Sequence, residues 1–197
     1  MTNPVRVLVG VSRCLLGEEV RFDRGHKRSR YVTDVLSAFF EYLPVCPEVE
    51  VGMGVPRESV RLVEVDAGPP RLIAPRSGTD WTPAMESLLA ERVEAIAAAA
   101  PRGFIVKSKS PTCGLDRVRV YRAAGPPAAD GVGMFTAALQ ARLPLLPIED
   151  EGRLNDARLR EHFITRVFAH DDWLRLLEAP SAAALVAFHA RHKMLLM

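Results

Sequence analysis

The sequence predicts an α/β fold: a Rossmann-like, mostly parallel sheet flanked by helices, with a helical extension at the C-terminus. Three observations lead there. The apolar, β-branched runs "VRVLVGVS" and "GFIV" show no alternation and read as strands buried on both faces, which is what a parallel sheet demands. Between them lies the strongest helical pattern, "TPAMESLLAERVEAIAAAA", so strand and helix alternate along the chain. After "PLLPIEDEG" the periodicity turns helical, which sets a boundary near Gly152 between a first domain, 1–152, and a helical extension, 153–197.

Taken in order, Val5 to Ser12 is the first strand, and Cys14 stands just past its end. Tyr31 to Leu43 places Val32, Val35, Leu36, Phe39, Phe40 and Leu43 at helical spacing, and Pro44 stops the pattern. Cys46 follows in "PVCPE". The segments "VRLVEV" and "RLIA" flank the turn "DAGPP" and form a hairpin-like pair. Thr82 is the expected N-cap of the next helix, with Pro83 at its first position and Met85, Leu88, Leu89, Val93 and Ile96 on one face. "GFIV" is then a buried strand, "RVRVYR" (Arg117 to Arg122) alternates as a half-exposed one, and "GMFTAALQARL" is helical. The tail holds two helical patterns separated by Ala179 and Pro180, the second running to Met197 with an apolar face. Such a face either docks on the first domain or begins a larger helical domain.

Composition narrows the classes. A chain of 197 residues with 48% hydrophobic content buries one good core, and a formal charge of +2 marks no strongly basic nucleic-acid protein. No window approaches a membrane span and no secretory leader is evident, so a cytoplasmic protein without a membrane partner is expected. In that reducing compartment three cysteines make no disulfide framework. They are core thiols, metal ligands or nucleophiles.

Each cysteine follows an apolar, strand-like run: "VLVGVSRC", "YLPVC" and "GFIVKSKSPTC". In an open parallel sheet the carboxyl ends of the strands share one edge, where ligands bind, so thiols far apart in sequence can meet there. Their wide spacing matches no zinc ribbon, and C-x-x-C is absent. The loop "KSKSPTCG" has no packing period, and "CPE" sets a carboxylate two positions from a thiol.

These motifs resemble those of the iron–sulfur thiouracil desulfidases and of the related desulfidases that act on 4-thiouridine in tRNA. The resemblance rests on "VSRCLLG" with "VRFDRG", on "VCPEVEVGMGVPR", on "KSPTCG", and on "GVGMFTAAL" and "PIEDEGRL". The tail is similar to the opening of the helical domain fused behind the members associated with tRNA. The resemblance implies a [4Fe–4S] cluster held by the thiolates of Cys14, Cys46 and Cys113, with one iron not ligated by protein. It implies a thiolated uracil, or 4-thiouridine free or in tRNA, as substrate, and the oxo base and sulfide as products of a hydrolytic, non-redox reaction. Glu48 is then the general base and Ser110 a hydrogen-bond donor or proton relay to the ring nitrogen. Thr112 stands where the family more often has serine. The basic run "RFDRGHKRSR", Arg21 to Arg30, with Lys107 or Lys109, is the expected surface for RNA phosphate.

Other features have plainer readings. "DGVGMFT" lacks the third glycine of a dinucleotide fingerprint and reads as a turn and helix start. Arg57 in "VPR" is substrate-facing or a surface ion-pair partner. His162, His170, His189 and His192 lie on the tail helices as surface or core residues. Two competing functions remain. One is a zinc-stabilised RNA-binding module in which the three cysteines and His26 close a tetrahedral site. The other is a thiol hydrolase with Cys113 as nucleophile, which needs a histidine base beside it.

Overall fold

The computed structural model describes residues 6–195 apart from 67 and 123. Val5 at the start of the first expected strand, Ala67 in the "DAGPP" turn, and Met197 at the end of the last helix lie outside the described residues. The strands are β1 (Val7–Ser12), β2 (Phe40–Val45), β3 (Arg61–Val63), β4 (Arg71–Ile73), β5 (Gly103–Val106), β6 (Val118–Tyr121), β7 (Ala128–Gly131) and β8 (Ile148–Asp150). The α-helices are α1 (Pro47–Glu50), α2 (Thr82–Ala99), α3 (Met134–Arg142), α4 (Ala157–Glu178) and α5 (Ala182–His192).

One four-stranded sheet has the order β2-β1-β5-β8 and is parallel throughout, as the unbroken apolar runs require. The chain leaves β1 on one side for β2 and on the other for β5. That reversal makes a switch point at the carboxyl ends of β1 and β5, where open α/β sheets bind ligands. The second sheet, β4-β3-β6-β7, is parallel between β3 and β6 and antiparallel at its two outer pairs, which includes the expected β3–β4 hairpin.

Side chains of β5 alternate between two cores. Phe104 and Val106 pack with Met85, Leu89 and Ile96 of α2 and Phe135 and Leu139 of α3. Ile105 faces the other way, with Val9, Val11, Phe40 and, from α4, Phe163 and Val167. A Cβ on Gly103 would stand 2.6 Å from a Val167 methyl, so the glycine lets α4 lie close against the strand. Arg102 ties the same junction, with its Nε 2.9 Å from Asp171 of α4. The helix α5 has no buried residue and packs on α4 through Trp173 against Phe188 and through Asp172, which accepts from Arg191 and His192.

Two expectations are corrected, and two strands are added. The helical pattern from Tyr31 stops after Ala38, in one π-helical and one 3-10 turn, and Phe40–Val45 is strand, paired with β1 from Val7↔Phe40 to Ser12↔Val45. Its apolar residues suit either period, and pairing with the buried β1 decides between them. Pro44 is tolerated because β2 is an edge strand. Thr82 is not the N-cap of α2: its hydroxyl accepts the Leu72 N–H at 2.8 Å, and Asp80 accepts the Thr82 N–H. The short strands β7 and β8 carry acidic residues that hide their strand character, although Glu149 and Asp150 of β8 are buried. Among the described residues no helix is long and apolar enough to cross a membrane.

Candidate active site

The three cysteines come to the same edge of the parallel sheet. Cys14 lies in the 3-10 turn Arg13–Leu16 after β1, Cys46 precedes α1 after β2, and Cys113 sits in the loop after β5. All three, with Glu48 and Ser110, line one cavity of about 370 Å³ at the switch point. None is in a disulfide. The strand ends are stitched together where the Lys107 N–H donates to Ser12 Oγ at 3.0 Å. The Cys46 N–H donates to Glu50 Oε1 across the single turn of α1, while Arg92 holds the other Glu50 oxygen.

The Cys113 loop is held from within and from α3. The Cys113 N–H donates to Ser110 Oγ at 3.1 Å, and the Thr136 hydroxyl donates to the Cys113 carbonyl at 2.7 Å. At the start of α3 the N–H groups of Met134 and Phe135, which have no partner inside the helix, donate to the carbonyls of Pro111 and Thr112. A Cβ on Gly133 would stand 2.5 Å from the Thr112 carbonyl oxygen. The glycine-containing "DGVGMFT" is thus a turn and helix start, and it grips the cysteine loop.

Glu48 is held at both oxygens. Its Oε2 is 2.5 Å from Arg57 Nη2 and accepts Arg57 Nε at 3.1 Å. Its Oε1 accepts the Thr112 hydroxyl at 2.7 Å, and that hydroxyl lies 3.0 Å from Ser110 Oγ. A continuous row, Ser110–Thr112–Glu48–Arg57, therefore runs along the wall. Arg57 is no surface residue: its side chain is 5% exposed and also donates to the carbonyls of Val20 and Gly54. Sequence reasoning left Arg57 undecided and gave Thr112 no part. The only signal was that a hydroxyl is kept beside Ser110.

The thiols are poor acids as they stand. Burial pushes Cys14 up to about 11, with the neighbouring Cys46 adding to the effect. Burial raises Cys46 as well, and burial followed by the nearby Glu48 carboxylate raises Cys113 further still. Neutral at physiological pH, Cys113 is not an activated nucleophile, and no histidine lines the cavity among the described residues. His26 is exposed and outside the cavity lining, its Nδ1 accepting the Arg28 N–H, so it completes no zinc site with the cysteines. Among the described residues no three His, Cys, Asp or Glu are grouped to hold one metal ion.

The expected phosphate-binding cations divide. Lys107 is half-buried, its ammonium paired with Glu151 and donating to Ser108 Oγ, so it is already engaged. Glu151 also accepts the Ser108 N–H at 2.7 Å. In the Arg21–Arg30 loop, Arg28 is tied to Thr33 and Asp34, while Arg21 and Lys27 line the cavity.

An all-parallel sheet with free thiols and a fixed carboxylate around its switch-point cavity defines an α/β protein whose site suits a group held by soft sulfur donors. The model of the 2-thiouracil desulfurase family matches residues 9–151, and the chain belongs to that family. It is similar to a solved structure described as a [4Fe-4S]-dependent thiouracil desulfidase, TudS, with a TM-score of 0.62 and 28% identity, covering 80% of this chain and 99% of that one. No curated protein matches the sequence.

Proposed function

We propose that this chain is a hydrolytic, non-redox desulfidase that converts a thiolated uracil or 4-thiouridine, free or in tRNA, into the oxo base and sulfide. The observation that carries the reading is the gathering of three free cysteines and Glu48 on one cavity. The donor set fits a cluster: three free thiols on one cavity, Cys14 and Cys113 buried and Cys46 half-buried, stay protonated alone and become thiolates beside strong positive charge, which bound iron provides. Cys14, Cys46 and Cys113 would hold a [4Fe–4S] cluster. Bound there, with one iron not ligated by protein, it supplies a Lewis-acidic position that prefers the thiocarbonyl sulfur.

The chain's own residues do the rest. Glu48 takes a proton from water as the water oxygen bonds to the thiocarbonyl carbon, and Arg57 keeps that carboxylate aimed. Ser110 donates to the ring nitrogen and exchanges protons with Glu48 through Thr112. The carbon–sulfur bond breaks, sulfur leaves as hydrosulfide, and a carbonyl remains. No electrons are gained or lost. Arg21 and Lys27 at the rim favour a phosphate-bearing form of the substrate. Residues 1–152 act as the desulfidase unit in the cytoplasm, with 153–197 as its helical extension.

The test is iron and sulfide content after anaerobic purification, with sulfide release from thiouracil. The expected protein is brown and active, and Cys14→Ala, Cys46→Ala and Cys113→Ala each lose most of their iron. Stoichiometric zinc in a colourless protein, or full iron in a cysteine variant, would contradict the ligand set.

A further inference from the structure

Among the described residues Phe22 is the only aromatic side chain lining the thiol cavity, and it belongs to neither hydrophobic core. It is 39% exposed, on a turn whose neighbouring residues are Arg21, Asp23 and Arg24. Single exposed apolar residues are ordinary on a protein surface. This one is fixed in place. The Arg57 N–H donates to the Phe22 carbonyl at 3.0 Å, and Arg57 Nη1 donates to the Val20 carbonyl at 2.9 Å. The turn also closes on itself, with the Arg24 N–H on the Arg21 carbonyl and the Arg21 N–H on the Gly25 carbonyl. The Arg21 guanidinium lies over the Phe22 ring, 5.4 Å from its centroid.

The same Arg57 holds Glu48, so one residue sets both the carboxylate and the segment that carries the ring. Its hydrogen bonds to that segment go to backbone carbonyls, which every residue has. They explain where residue 22 stands and not why it is phenylalanine. A phenyl ring left in water adds little to the core, because only area removed from water stabilises the fold. What the ring does supply is a flat apolar face on a cavity whose cysteines, Glu48 and Ser110 supply sulfur and polar groups.

We propose that Phe22 stacks on the pyrimidine ring of the substrate and selects a flat, unsaturated ring, holding it by its face while Ser110 and Glu48 work at its edge. The inference rests on the desulfidase reading of the cavity and deepens it. A pyrimidine carries its donors and acceptors around its edge, and its two faces are π surfaces. Stacking uses the surface that the hydrogen-bonding residues leave bare. The contact is made with the ring before and during reaction, so it acts on binding more than on the chemical step. Phe22 is thus a specificity-determining residue, kept in register with the base through Arg57.

The experiment is steady-state sulfide release from thiouracil by anaerobically purified wild type, Phe22→Ala, Phe22→Leu and Phe22→Tyr at equal iron content. Each substitution keeps the carbonyl that Arg57 binds and changes a side chain outside both cores. Phe22→Ala should raise KM roughly ten-fold, with the loss in kcat/KM carried by KM. Phe22→Tyr keeps the ring and should stay close to wild type, whereas Phe22→Leu keeps apolar bulk without an aromatic face and should resemble the alanine variant. Equilibrium dialysis of labelled uracil, the same ring without sulfur, reads the contact without turnover and should show the same weakening in Phe22→Ala. An unchanged KM in Phe22→Ala, a loss in kcat alone, a leucine variant as good as the tyrosine one, or equal uracil affinity in wild type and Phe22→Ala would each overturn the proposal. Failure of the desulfidase reading shows separately, as wild-type protein with a full cluster that releases no sulfide from thiouracil.

Discussion

Arg57 and Lys107 of the thiol-lined cavity have surroundings opposite to those of the cations along the cavity that adjoins it. In the thiol-lined cavity Arg57 is locked on Glu48 and Lys107 on Glu151, and all four side chains are largely shielded from water. Along a second cavity beside it, Arg61 of β3, Lys109 of the Cys113 loop, and Arg117 and Arg119 at β6 have no carboxylate partner among the described residues. A shielded ion pair holds geometry, because removing one member strands the other's charge. An unpaired cation at the surface is kept in solvent and remains available to an anion from outside. One cavity is built from its charges; the other presents them.

Breaking the shielded pair should have the largest effect on stability. Arg57→Met leaves Glu48 charged and without its cation, and should cost about 3–5 kcal/mol in urea unfolding. Arg119→Ala at the second cavity should stay within about 0.5 kcal/mol of wild type. Equal losses in the two variants would remove the distinction between the cavities. A smaller effect, on rate, sharpens the internal account of the first cavity. Thr112→Val breaks the hydrogen-bonded row between Ser110 and Glu48 and should slow sulfide release roughly ten-fold, about the worth of one hydrogen bond to a charged group. Thr112→Ser should restore the rate. Equal activity in the valine and serine variants would show that the row transmits nothing.

Much of this arrangement was legible in the sequence. Cys14, Cys46 and Cys113 each follow an apolar strand, and a parallel sheet brings such ends to one edge, so their convergence followed from topology. Ser110 and Glu48 were singled out by the family resemblance, not by position alone. Arg57 and Thr112 were harder, because a side chain's partner is set by where loops cross and not by its own segment. The Tyr31–Leu43 stretch failed for another reason: residues that satisfy a helical period also make a strand, and only β1 beside it decides. The second cavity was half visible. Alternation in "RVRVYR" indicated outward-facing arginines, but a lack of carboxylates around them is a property of space.

The central claim is that Glu48 acts on water while the thiols hold the cluster, and it is tested most directly by sulfide release from thiouracil with Glu48→Gln. The comparison is made at iron content equal to wild type, so that chemistry is separated from assembly. Glutamine keeps the size of the side chain and one acceptor oxygen for Arg57 but cannot take the proton, and the account predicts a full cluster, retained substrate binding and turnover lower by about 10²–10⁴-fold. Wild-type turnover in a fully loaded Glu48→Gln protein would contradict it.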